Sequence, residues 1–425
     1  MVNFQIWYRI GIMAEKDLFS DLKATYDGVV VSAHIASFYK LAMTTFLPSL
    51  GRPFIVDPMT YAFARDLQNI KRGNDFRKSF QKLIDWYGGK VKTILEKRQL
   101  LPSDFLKGKT WIKDTVDTIV KRTVALQLDL LKPGGPVQQS LSEYLEIIKE
   151  TKPQIKKPLF IVAPYFYFPS VSDVWYSINL QVAKRAAKAT KEDVFAVICA
   201  SKETLLDEKD VRKIATDFRR FKGVLLWISD FDDEKDSTEY LAGLVQLVHL
   251  LDKNKKLIYF LYGGSFIPLL SKKFSYLRGY SRGICYGDSK DVDTEMPTGG
   301  GAPVRYYMDL TKTKLLEGIA RVFYSDNPGM LCACQICTSI SKGVRSRKGT
   351  AAYAAEFFDR MNYTLTRLHF AHSHTSEIES ISKMPLQDIL RKLAKNTRTA
   401  NSLNLNFKYG IQFSHLERWK DAISK

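Results

Sequence analysis

The chain has 425 residues, enough for a large barrel plus an appendage, and it is 45% hydrophobic without any uninterrupted apolar run near the roughly 18 residues a membrane span requires. Its 64 Lys and Arg outnumber 45 Asp and Glu to leave a net charge of +19, an excess that argues for a polyanionic partner, nucleic acid before others. Residues 1–9 lack the basic-then-apolar layout of a secretion signal, so the expected location is cytoplasmic, with no membrane association and with cysteines as thiols or metal ligands.

In chain order, short apolar runs fall at 28–32 (GVVVS), 53–57 (PFIVD), 159–163 (LFIVA), 194–200 (VFAVICA), 223–229 (GVLLWIS), 257–262 (LIYFLY), 283–286 (GICY) and 304–308 (VRYYM). Each is nearly continuous rather than alternating, as expected of parallel strands covered by helices on the outside. Amphipathic stretches at 174–187, 208–221 and 240–251 lie between them. Eight strands with intervening helices predict an α/β fold, a (β/α)8 TIM barrel over residues 1–330, with an open doubly wound sheet as the alternative. Residues 64–153 are too many for one crossover and carry helical patterns at 76–87 and 115–131, so a helical insertion is expected after the second predicted strand. A Gly/Pro-rich loop occupies 297–303, and residues 331–425 form a second, basic subdomain.

Barrel enzymes place their chemistry at the C-terminal ends of strands. That rule selects Ser32, His34, Asp57, Tyr165, Tyr167, Ser201, Asp230, Gly263, Gly264 and Asp288. Asp57 and Asp288 each closely follow an apolar strand. A buried carboxylate there can act as nucleophile, base or hydrogen-bond acceptor, and an Asp at a strand end can equally cap the next helix. Asp230 opens the run DFDDE, which reads as a solvated loop. Tyr165 and Tyr286 can sandwich a planar ring or fill core.

Three of the five cysteines, Cys332, Cys334 and Cys337, form a C-x-C-x-x-C cluster. Such spacing lets three thiolates converge on one Zn²⁺, and His369, His372 or His374 can supply the fourth ligand of a closed structural site. Lys342, Arg345, Arg347 and Lys348 follow in one short run, and Arg391, Lys392, Lys395 and Arg398 lie on a predicted helix. Groups of this kind neutralise phosphates without reading sequence.

The segment Gly283-Ile284-Cys285-Tyr286-Gly287-Asp288, then Pro297-Thr298-Gly299, then the cysteine cluster and a downstream histidine, resembles the tRNA-guanine transglycosylase superfamily. Asp57-Pro58-Met59-Thr60-Tyr61-Ala62-Phe63 echoes that family's Asp-Ser-Gly-Gly-Phe-Gln motif. The resemblance implies a zinc-bearing barrel that exchanges guanine for a 7-deazaguanine. Asp288 would be the nucleophile, Asp57 the residue that reads the base, and His369 the favoured fourth zinc ligand with His372 as fallback. The family's strand-three Asp-Glu pair is replaced by Ala163-Pro164-Tyr165, its strand-four Val-Gln-Gly-Gly by Ile198-Cys199-Ala200-Ser201, and its strand-five motif by Trp227-Ile228-Ser229-Asp230; the Arg of its Pro-Thr-Arg is Gly299. A rebuilt pocket beside retained carboxylates is most similar to the DNA-modifying, DpdA-type paralogues. DNA is then the implied partner, with tRNA as the alternative, alongside a preQ0-like base. A helper ATPase and a homodimer are compatible with the resemblance.

Overall fold

The computed structural model describes residues 4–132, 157–294 and 303–424. Eight parallel strands make up its main sheet: β1 (Gln5–Ile10), β2 (Gly28–Ser32), β3 (Phe54–Asp57), β4 (Ile161–Val162), β5 (Val194–Ser201), β6 (Gly223–Ser229), β7 (Leu257–Phe260) and β8 (Leu277–Arg282). They neighbour one another in the order β3-β2-β1-β8-β7-β6-β5-β4, a nearly closed barrel ringed by helices. Continuous burial of runs such as Val29-Val30-Val31 explains why strands such as β2, β5 and β6 are almost wholly apolar, since the barrel interior lies on one face and helices on the other.

The seam falls between β3 and β4. Among the described residues no backbone ladder joins β3 to β4 themselves: Leu159 N–H, just before β4, reaches Phe54 O (2.8 Å), and β4 is cut short before Pro164, which has no N–H to offer a ladder. Gln127 seals the exposed edge instead. Its side-chain amide accepts from Val162 N–H (2.9 Å) and donates to Val162 O (2.8 Å), doing for one residue what a neighbouring strand would do. Gln127 belongs to the helix Lys113–Asp129, the last described part of the insertion, which thereby caps the gap it was spliced into.

The strand count of eight was right, but its membership was not. Residues 283–286 form no strand: the chain leaves β8 at Arg282 and turns through Cys285 and Gly287, both at φ +71°. Residues 305–308 pair antiparallel with Thr313–Leu316 in a separate ribbon, β9 (Arg305–Met308) and β10 (Thr313–Leu316). The missed members are β8, whose sequence LRGYSR carries two Arg, and β1, whose sequence QIWYRI carries an Arg amid apolar residues. Arg9 is tolerated inside because Asp57 pairs with it, so a long-range ion pair disguised the pattern. The helical insertion accordingly follows the third strand, not the second. Its helices Lys78–Tyr87 and Lys113–Asp129 sit where the periodicity placed them.

A second core gathers Tyr306, Phe323, Cys337, Phe357, Phe358 and Leu405, so the ribbon and the helix Glu317–Asp326 pack with the cysteine-bearing subdomain. The chain then returns to the barrel. Helix Tyr363–Lys383 buries Phe370 and Ile378 in the main core, and helix His415–Ser424 fixes Trp419 Nε1–H to Asp233 O (2.6 Å). Among the described residues no helix is long and apolar enough to cross a membrane.

Candidate functional site

Cys332, Cys334, Cys337 and His369 converge as one group, their ligand atoms all within 4.8 Å of one another. Local geometry begins the convergence. Cys334 is the N-cap of helix Gln335–Ser341, and its sulfur accepts from Cys337 N–H while Cys332 sulfur accepts from Cys334 N–H (3.3 Å). Helix Tyr363–Lys383 then brings His369 Nδ1 to 3.3 Å from both Cys334 Sγ and Cys337 Sγ. Its other nitrogen donates to Tyr307 O (2.9 Å), which fixes the tautomer and leaves the Nδ1 lone pair toward the sulfurs. Tyr306 stacks on the imidazole (4.2 Å) and reinforces that orientation. Hydrogen bonds, first from Cys332 and then from Cys337, hold the Cys334 thiol far below its usual range. Ligands around a tetrahedral Zn²⁺ stand roughly 3.5–3.8 Å apart, so this donor set fits such an ion. Of the three histidines, His369 joins the group; His374 lies buried between Tyr280 and Arg282, and His372 is not one of the donors.

The two singled-out carboxylates have different settings. Asp57, fully buried at the end of β3, pairs with Arg9 Nη1 (2.8 Å) and accepts from Tyr165 O–H (2.7 Å) and Met59 N–H (3.0 Å). Both its oxygens are engaged within the protein. Asp288 lies past β8, 16% exposed, held by Arg282 Nη2 (2.5 Å) and by Lys314 Nζ of β10. It faces a void of about 10 Å³, one water's worth, lined also by Tyr262, Gly263, Gly264, Phe231 and Asp233.

Asp230 does not share that void. It caps the end of β6 at φ +56°, its side chain 71% exposed and paired with Lys202 (3.2 Å). Asp233 takes the interior place within the run expected to be a solvated loop. Burial, with Glu234 beside it, pushes its carboxyl up to about 7, and it accepts from Phe266 N–H (2.9 Å). Gly264 permits this approach: a Cβ there would stand 2.3 Å from Asp233 Oδ1. Nothing local in the sequence distinguishes Asp233 from Asp232, because helix His415–Ser424 supplies the covering Trp419.

The loop after β8 is laid across the barrel mouth. Lys290 O accepts from Trp227 Nε1–H (2.9 Å) and Asp230 N–H (3.2 Å), Asp291 accepts from Ser229 O–H (2.9 Å), and Asp293 pairs with Arg65 (2.7 Å). The Lys290 side chain descends into a box of Tyr61, Trp227 and Tyr262, its ammonium 5.3–5.6 Å from the three ring centroids and donating to Tyr61 O–H (2.7 Å). Burial, then repulsion from Arg9, lowers its pKa to about 8. Arg9 in turn stacks over Tyr262 of the box (4.3 Å). Lys290, Arg9 and Tyr262 carry no local sequence signal of this role, and Tyr61 and Trp227 stand within the segments 57–63 and 227–230 with no role of their own. Tyr165 stacks on Tyr61 (5.7 Å) and so does border the box, whereas Tyr286 lies against the helix Tyr363–Lys383, its ring on Tyr363 (6.2 Å).

Lys342, Arg345, Arg347 and Lys348 are all exposed, and none has an acidic side-chain partner among the described residues. Their loop is pinned from behind, where Glu356 accepts from Arg345 N–H, Ser346 N–H and Ser346 O–H (3.0 Å each). Residues 297–299 of the expected Pro-Thr-Gly motif lie outside the described residues. The chain matches no protein-family model and no curated protein.

Proposed function

We propose that the chain is a base-exchange transglycosylase acting on nucleic acid, DNA before tRNA, with a structural Zn²⁺ on Cys332, Cys334, Cys337 and His369. The observation that carries this reading is Asp288, a carboxylate at the C-terminal mouth of a parallel barrel, paired with Arg282 and Lys314 and facing the interior void. Asp288 would attack C1′ of the target nucleotide as the C1′–N9 bond breaks, the bond's electron pair leaving with guanine N9, which takes up a proton. A 7-deazaguanine, its N9 proton removed, then displaces the carboxylate from C1′. Bound zinc would hold the subdomain in place without activating water, since protein fills its four ligand positions.

A nucleobase needs far more room than one water, so Lys290 has to leave the aromatic box before a base enters beside Asp57 and Tyr165. The filled box favours a second reading, a barrel that binds nucleic acid without exchanging bases. Incubation with radiolabelled guanine and either plasmid DNA or bulk tRNA separates these. Incorporation into DNA, together with a denaturant-stable protein–DNA adduct that Asp288→Asn abolishes, is expected. An adduct that survives Asp288→Asn, or no incorporation into either polymer, would rule the exchange mechanism out.

A further inference from the structure

We propose that Phe407 is a stacking platform for an unpaired base, set at the end of a cationic stripe on the C-terminal helices. This rests on the reading that the partner is nucleic acid.

Phe407 is 97% exposed, the most exposed large hydrophobic side chain among the described residues. It is not on a loose tail. The short helix Leu405–Tyr409 is bracketed by two left-handed residues, Asn404 at φ +50° and Gly410 at φ +68°. Every neighbour of Phe407 is tied down. Leu405 is fully buried in the second core, and its carbonyl accepts from Ile411 N–H (3.1 Å). Lys408 pairs with Asp326 (2.9 Å), and Tyr409 donates to Asp326 (2.9 Å), accepts from Asn327 (3.2 Å) and packs edge-on to Phe323 (5.2 Å). A rigid turn thus holds one aromatic ring in water, where it contributes nothing to the fold.

The preceding helix, Leu386–Ser402, buries Ile389, Leu393, Asn396, Thr397 and Ala400. Its opposite face exposes Arg391, Lys395, Arg398 and Asn401, spaced four, three and three residues apart and therefore aligned along the axis toward the Phe407 turn. Arg391 pairs with Asp388 (2.6 Å), but Lys395 and Arg398 have no acidic partner among the described residues. Charge of this sign suits phosphates. The exposed residues nearest Phe407 in sequence are Asn401, Ser402, Asn404, Asn406 and Lys408, polar groups of the kind that hydrogen-bond phosphate and sugar oxygens. Bases within a duplex are already stacked on both faces, so a protruding ring finds its partner in a single strand.

The test measures anisotropy of a fluorescent single-stranded oligonucleotide and of the matching duplex at one salt concentration. Phe407→Ala should weaken single-strand binding roughly 5- to 150-fold, the range for loss of one stacked base, while leaving the duplex affinity and the melting temperature unchanged. Phe407→Trp should bind the single strand like the parent, with its added fluorescence quenched on binding. Equal single-strand affinity for parent and Phe407→Ala would overturn the platform. So would a Phe407→Ala effect confined to self-association, read by light scattering, which would make the ring a protein contact. A parent chain that binds neither oligonucleotide would instead remove the nucleic-acid reading beneath it.

Discussion

Arg9 and Asp57 show how much a single residue's role depends on its partner. Asp57 is legible from sequence as a strand-end carboxylate, yet its oxygens serve Arg9, Tyr165 and Met59 in the structure. Asp57→Ala would strand a buried guanidinium and a buried tyrosine hydroxyl, so a loss of about 3–5 kcal/mol is expected in urea unfolding, before any effect on base recognition is asked about. Replacing the pair together by Arg9→Met and Asp57→Leu should recover most of that loss. Lys290 makes a second residue-scale prediction. Its folded pKa near 8 lies below the value of about 10.4 for a free lysine, so between those limits the folded state binds fewer protons than the unfolded one. Stability from Lys290 therefore rises with pH across that window, and below about pH 8 the full cost of burying the ammonium is present. Lys290→Met should remove this part of the rise, seen as a smaller gain in unfolding free energy between pH 8 and pH 10 than in the parent.

At the scale of elements, the cysteine loop and the helix Tyr363–Lys383 depend on the ion they would share. About one Zn²⁺ per chain is expected from elemental analysis of protein purified without chelator. Cys334→Ser should lower that content, and chelation should speed amide exchange in the second core around Tyr306, Cys337 and Phe358 before it reaches β5 and β6. A chain free of metal that melts at the same temperature would contradict this. Elements whose burial is uniform or periodic were legible: β2, β3, β5 and β6 as apolar runs, and Lys78–Tyr87 with Phe80, Leu83, Ile84 and Tyr87 on one face. Elements whose burial depends on distant partners were not. β1 hid behind Arg9, and Gly283-Ile284-Cys285-Tyr286 looked like a strand but has no neighbour to pair with, because β8 ends at Arg282.

For the whole molecule, a net charge of +19 predicts binding that weakens steeply with salt. Changing Lys342, Arg345, Arg347 and Lys348 together to Ala should weaken DNA binding for all sequences alike. It should also flatten the plot of log affinity against log salt by roughly 0.9 for each phosphate that is no longer neutralised. The melting temperature should hold, since these side chains lie exposed on a loop that Glu356 organises through its backbone. An unchanged slope would place the binding surface elsewhere.

The three-cysteine cluster and the parallel barrel were in the sequence, because each depends on local order: sulfurs two and three residues apart converge through their own loop, and continuous apolar runs require cover on two faces. The closed state of the barrel mouth was not. Lys290 fills the aromatic box, Asp233 replaces Asp230 inside, and Asp57 is saturated by Arg9, each through contacts between strands or loops far apart in the chain. Ion pairs and cation–ring contacts leave no period in a sequence, and only the folded barrel decides which charges meet.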